Sequence, residues 1–342
     1  MHQGPPETGI SVLLPVHNGG QYLNESVRSI LAQTGVELEL LIIDDHSKDG
    51  AIAALPNDAR LQVLTSPQRG IVAALNYGLQ QARYSIIARM DADDIAAPDR
   101  LSTQLAYLAE NPSVEFCGAV VEIFRDNGAV EGGFTIYQDW INNLQQHHDI
   151  TRELFIECPI PHPTFMLRKS ALLDLGGYLD KGWPEDYDLC CRALLAGFRF
   201  GKPSGPALLR WRDHAQRLSR NDQSYAKQAF LRCKAHYLKR FFEARQQSHV
   251  WLWGAGKTGL KLHDYLTDEG LHVAGFYDVN PRMIGVKKRN KTVLIVDPEK
   301  QKIVAPDAPV LIAVSARGAR QDIRKYLANC DWREGRDFVC VA

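Results

Sequence analysis

The chain has 342 residues, its 40 Lys and Arg are balanced by 40 Asp and Glu, and 45% of it is hydrophobic. That length suggests two domains of about 150 residues each with cores of ordinary size, and the charge balance gives no argument for bulk attraction to nucleic acid. No apolar run approaches the ~20 residues that span a bilayer, no signal-peptide pattern opens the chain, and an odd set of cysteines without C-x-x-C spacing argues for a reducing, cytoplasmic setting and against zinc.

In chain order, residues 10–15 form an apolar run closed by Pro15, which reads as a buried strand leading into the turn Val16-His17-Asn18-Gly19-Gly20. A helix is expected over about 22–33, where Leu23, Val27, Ile30 and Leu31 share a face. A second strand over 38–43 ends in Asp44-Asp45-His46-Ser47-Lys48-Asp49-Gly50, and a third near 61–64 runs into Arg69-Gly70. The helix over about 71–82 carries Asn76 and leads to an apolar run that ends in Met90-Asp91-Ala92-Asp93-Asp94. Carboxylates this close to the end of a buried strand are costly unless a cation lies between them, and hard oxygen donors suit Mg or Mn. The alternative is a solvated acidic turn, with Asp94 capping the helix that begins near Pro98. Strands alternating with helices predict a parallel, doubly wound α/β sheet, whose ligands gather beyond the carboxyl ends of the strands. Polar groups at three such ends favour the cation.

The segments Pro15-Val16-His17-Asn18, Asp44-Asp45-His46-Ser47, Asp91-Ala92-Asp93-Asp94, Pro98-Asp99-Arg100-Leu101, His162-Pro163-Thr164, Gly176-Gly177-Tyr178 and Glu185-Asp186-Tyr187-Asp188 together resemble the family 2 glycosyltransferases. The resemblance implies a GT-A-type doubly wound mixed sheet and an inverting, metal-dependent glycosyltransferase. Its donor would be a nucleotide sugar, a UDP-sugar in the first instance, and its acceptor a saccharide or lipid-linked saccharide in bacterial cell-surface polysaccharide synthesis. It implies nucleotide-sugar contacts from Pro15, His17, Asn18, Asp45, Asn76, Asp91, Ala92 and His162. Asp45 would accept from a base imide N–H, and His17, where the family more often has Tyr, would stack on the base ring. Asp93, with Asp91, would hold the divalent cation, and His214 in Arg212-Asp213-His214 would complete its shell or meet the diphosphate. Asp186 would be the general base, a role typically worth about 10²–10⁴-fold, with Glu185 as a substrate-binding neighbour. Acids in a first helical turn also suit the helix dipole, which is their bland reading. Two other classes compete. A sugar nucleotidyltransferase would need a Gly-rich triphosphate loop that His17-Asn18-Gly19-Gly20 matches poorly, and a degenerate transferase could act as a scaffold.

The transferase domain is expected over 1–220, a connecting helix over 221–247 and a second α/β domain over 248–342. Arg232, Lys234, Lys239, Arg240 and Arg245 give the connecting helix a basic character that reads first as a solvated face. Peripheral contact with the inner face of the plasma membrane is the alternative, because aromatics accompany the charges. Beyond it, a strand enters Gly254-x-Gly256-x-x-Gly259, and a second strand ends in Asp278 about 20 residues later, which is the dinucleotide fingerprint. Trp251 stands where a Walker A loop needs glycine. This half resembles small Rossmann-like modules attached to some bacterial sugar-modifying enzymes. A dinucleotide or nucleotide is its expected ligand, in a docking or regulatory role rather than as a second enzyme.

Overall fold

A computed structural model describes residues 9–130, 132–296 and 308–342. The chain divides into two compact units, the first made of Met1–Ile150, Pro159–Lys181 and Asp188–Asn221, the second of Thr151–Cys158, Gly182–Tyr187 and Asp222–Ala342.

The first unit opens with β1 (Ile10–Val16), α1 (Leu23–Leu31), β2 (Leu38–Asp44), β3 (Leu61–Thr65), α2 (Ile71–Gln81) and β4 (Ile86–Arg89). It continues through β5 (Ile95–Ala96), α3 (Arg100–Glu110), β6 (Phe116–Cys117), β7 (Val121–Phe124), α4 (Gly133–Asn143) and α5 (His147–Glu153). Then follow β8 (Met166–Arg168), α6 (Lys169–Asp174), α7 (Glu185–Leu195), β9 (Phe200–Gly201), β10 (Leu209–Arg212) and α8 (Leu218–Asn221).

Consecutive apolar residues in β1 and β2 are buried on both faces, as a parallel sheet covered on both sides requires. The described strands of the main sheet run β3-β2-β1-β4-β8-β6-β9. The first four are parallel, and β8 is antiparallel to both β4 and β6, so the sheet is mixed. Register sets the chemistry. Val16 pairs with Asp44, so the loops leaving β1 and β2 emerge side by side. On α1 the buried Leu23, Val27 and Ile30 recur at helical spacing and join the same core as Val12 and Leu14. Each such side chain contributes about 1.5–3 kcal/mol on burial. A smaller sheet, β5-β10-β7, pairs the residues just after the acidic motif with β10, Arg210 opposite Ile95.

The second unit contains α9 (Lys227–Glu243), β11 (His249–Trp253), α10 (Lys257–Asp268), β12 (His272–Asp278), β13 (Lys287–Lys288), β14 (Lys291–Ile295), β15 (Val310–Ile312), α11 (Ala319–Asn329) and β16 (Phe338–Cys340). Its described strands run β13-β14-β12-β11-β15-β16, parallel except for the β13–β14 hairpin. Leaving out that hairpin's short strand, the order of appearance is third, second, first, fourth, fifth, a doubly wound parallel arrangement. Helix α9 keeps the expected solvated face at Arg232 and Arg240 and departs from it at Lys234. Tyr237, Leu238, Phe241 and Phe242 are buried, and Lys234 is buried with them, its Nζ donating to the Val341 carbonyl at 2.6 Å and the Ile156 carbonyl at 3.1 Å. Two carbonyls make burial of that ammonium tolerable. Tyr237, Phe241 and Phe242, three of the aromatics in that segment, are therefore core residues. No helix among the described residues is long and apolar enough to cross a membrane.

Candidate active site

In the first unit, the loop after β1 is held by the loop after β2. The Asp45 N–H donates to the Val16 carbonyl at 2.8 Å, the Asn18 N–H to Ser47 Oγ at 2.9 Å, and the Lys48 N–H to Asn18 Oδ1 at 2.8 Å. Asn18 and His46 take the left-handed backbone that this crossing needs, with φ of 53° and 57°. His17 bonds through both ring nitrogens, Nδ1 to the Asp45 carbonyl at 2.6 Å and Nε2 to Asn18 Nδ2 at 3.0 Å. The carbonyl can only accept, so the proton belongs on Nδ1, and hydrogen bonding leaves the ring faces uncommitted. Asp45 accepts the Gly70 N–H through Oδ2 at 3.0 Å, whereas its buried Oδ1 has no hydrogen-bond partner among the described residues. Pro15 lies half-buried in register with Ile43.

The acidic motif leaves β4 beside these loops. One carboxylate oxygen each from Asp91, Asp93 and Asp94 lie within 4.8 Å of one another. Ala92 rests against the core. Arg89, buried at the end of β4, bonds Asp91, and its own carbonyl is held by Arg100 Nη2 at 2.7 Å. Arg100 is fully buried, and burial lowers its guanidinium to about 10.

His214 Nε2 meets Asp93 Oδ2 at 2.7 Å, and this hydrogen bond raises the imidazole above its ordinary value. Burial works against the Asp93 carboxylate, yet His214 and Arg217 hold it below the usual range. Asp94 goes the other way. Burial, helped by the charge on Asp93, pushes it up to about 7. Its Oδ1 accepts the Arg212 N–H at 2.8 Å, and its buried Oδ2 has no hydrogen-bond partner among the described residues.

The reading of Asp94 as a helix cap is thereby corrected. Asp99 holds the N-cap position of α3, without a side-chain cap bond, and Asp94 instead binds β10 beside the other acids.

One residue organises the surroundings. Arg212 Nε donates to the Asp93 carbonyl at 2.7 Å, its remaining nitrogens bond Asp126 and Glu25, and its guanidinium lies 4.4 Å from the Tyr22 ring centre and 4.5 Å from that of Phe124. Sequence reading missed Arg89, Tyr22, Glu25 and Asp126. Arg89 had a signal, a basic residue inside an apolar strand two positions before an acid. Glu25 and Asp126 had none, lying 187 and 86 positions from Arg212.

Two expected nucleotide contacts sit deeper. The Asn76 amide is committed to the Tyr178 backbone, donating to its carbonyl at 2.8 Å and accepting its N–H at 2.9 Å, so it ties α2 to the loop at Gly177. His162 is buried, with Nε2 3.2 Å from the Tyr178 hydroxyl. Glu185 and Asp186 open α7 and group with the second unit. There Glu185 is buried and both its carboxylate oxygens accept from Tyr225 Oη, at 2.8 and 2.7 Å. Asp186 is partly exposed, with Oδ1 2.7 Å from the Tyr187 N–H.

Comparison with known proteins places this arrangement. The family described as glycosyl transferase family 2 matches residues 11–176. The chain is 31% identical over 245 residues to the O-antigen biosynthesis glycosyltransferase WbnJ of Escherichia coli, covering 69% of this chain and 90% of that one. The amylovoran biosynthesis glycosyltransferase AmsE of Erwinia amylovora is 27% identical over 195 residues, 55% of this chain and 70% of its own. Among solved structures, S. aureus TarS 1–349 in complex with UDP-GlcNAc superposes with a TM-score of 0.50 at 19% identity, over 68% of this chain and 66% of that chain. The fold is thus of the GT-A type, a mixed sheet whose strand ends carry the polar loops. The chain belongs to glycosyl transferase family 2, and it is a glycosyltransferase.

Proposed function

We propose that this transferase moves a sugar, with inversion, from a nucleoside-diphosphate sugar to a saccharide or lipid-linked saccharide acceptor, and that it requires a divalent cation. The observation that carries the reading is the clustering of Asp91, Asp93 and Asp94 within 4.8 Å, with Asp94 Oδ2 buried and lacking a hydrogen-bond partner among the described residues. An all-carboxylate set fits a hard cation such as Mg or Mn. Asp91, Asp93 and Asp94 would hold it, with His214 beside Asp93 as orienting partner or further donor. When bound, the cation supplies positive charge against the departing diphosphate.

The chain's own groups do the rest. Asp45 Oδ1 receives the imide N–H of a uracil or thymine base, and the His17 ring stacks on it. Arg89 and Arg212 keep the acidic loop in place. Asp186, supplied by the Glu185-Asp186 motif, takes the proton of the acceptor hydroxyl. Cell-surface polysaccharide assembly as the setting is supported by the relatives WbnJ and AmsE, and a UDP-linked donor by the TarS complex. Titration calorimetry with UDP and with UDP-GlcNAc tests the core of this reading. Binding should weaken at least tenfold in EDTA and in Asp93→Ala, and equal affinity with and without manganese would remove the cation.

A further inference from the structure

The second unit carries a cavity of about 500 Å³ at the carboxyl end of β11, lined in part by Trp253, Gly256, Lys257, Asp278, Val279 and Tyr326. Its three glycines are not equivalent. Gly254 has φ +113°, where an L side chain is strained, and an added Cβ would lie 2.9 Å from the Ala313 carbonyl. A Cβ on Gly259 would lie 1.8 Å from the Gly254 carbonyl, so close approach of α10 to β11 requires glycine there too. Gly256 is different. Its φ is −81°, and a Cβ built on it meets nothing within 4 Å. Folding explains the outer two glycines and leaves the middle one unexplained. As the N-cap of α10, Gly256 brings no side-chain acceptor, although Ser, Asp or Asn would serve that position at least as well.

What a bare backbone provides at that point is room for an anion against the first N–H groups of a 12-residue helix, with Lys257 adding positive charge. Across the turn, Asp278 Oδ2 accepts the Ala255 N–H at 2.8 Å and Oδ1 the Asn280 N–H at 2.9 Å. Each oxygen keeps a second lone pair for a hydroxyl. Val279, 50% exposed on the rim, offers an apolar seat for a planar base.

We infer that the second unit binds a ribonucleoside diphosphate, its diphosphate over Gly256 and its ribose diol on Asp278. This inference is independent of the transferase reading. The same chemistry is presented by a dinucleotide such as NAD⁺ and by a free nucleoside diphosphate such as UDP.

Calorimetry on the full chain in EDTA, which suppresses cation-dependent binding elsewhere, separates the two. A single NAD⁺ site weakened at least tenfold by Gly256→Val identifies a dinucleotide. Its preference over NADP⁺ should also be at least tenfold, because a 2′-phosphate would face Asp278. A UDP site lost in Gly256→Val identifies the free nucleotide. The open space around Gly256 predicts an unchanged melting temperature for this variant. If it melts lower, Lys257→Glu on the exposed first turn is the second probe, with the same tenfold loss expected. Absence of any NAD⁺ or UDP binding sensitive to either substitution overturns the inference.

Discussion

Asp94→Asn separates two roles that a buried carboxylate can have. Asp94 is 1% exposed, with one oxygen on the Arg212 N–H and the other without a hydrogen-bond partner among the described residues. An amide of the same shape keeps the Arg212 contact and turns N–H groups toward Asp91 and Asp93, each of which has an oxygen within 4.8 Å. Relieving an unpartnered buried group is worth about 1–3 kcal/mol, and each kcal/mol moves the melting temperature about 2–4 °C at this domain size. In EDTA the variant should therefore melt several degrees above the wild type. Manganese with UDP should narrow that gap. A ligand at about 100 times its Kd adds about 2.7 kcal/mol to the wild type, and the variant, short of one carboxylate, should gain less than half of that. Scanning fluorimetry of both proteins with and without manganese reads the two effects together. A variant less stable in EDTA would make Asp94 a plain structural acceptor. Equal gains with manganese would move the cation away from these acids.

Gly259→Ala should destabilise the second unit by about 3 kcal/mol or more, because its methyl would meet the Gly254 carbonyl 1.8 Å away, whereas Gly256→Ala should change stability by less than about 1 kcal/mol. Hydrogen exchange of β11 amides distinguishes the two. Asp186→Asn should abolish transfer while leaving the donor Kd unchanged, and a variant that still transfers would end its assignment as base. Asp58 is held at about 2 by its hydrogen bonds from Arg60, below its ordinary carboxylate value. Its contribution, under about 1 kcal/mol for a surface pair, is present above pH ~4 and lost as pH falls through ~2. Urea midpoints of Asp58→Asn should therefore fall below wild type at pH 7 and converge with it near pH 2. A constant gap across that range would refute the assignment.

The parallel strands and the loops at their carboxyl ends were legible because both signals are local: unbroken apolar runs, then acids, Asn or Gly. The same holds for the turn at Gly254. What stayed hidden depends on partners far along the chain. Strand β8 is three residues long and antiparallel, too short for any period to announce its place between β4 and β6. Asp94 looked like a cap because its true partner, the Arg212 backbone, lies 118 positions away. Lys234 read as solvated because its charge was visible and the two carbonyls that receive it were not.

Arg212 also orders events in time. It joins Glu25, Asp126 and the Asp93 carbonyl across separations of 187, 86 and 119 residues, so these acids cannot be locked until β10 exists. During synthesis, β1 to β4 can pair while the acidic loop still lacks its Arg212 contacts, since long-range contacts close last. A chain released before residue 212 would thus hold most of the main sheet and an unfinished acidic loop. The transferase's core and its chemistry are completed at different lengths of the growing polypeptide.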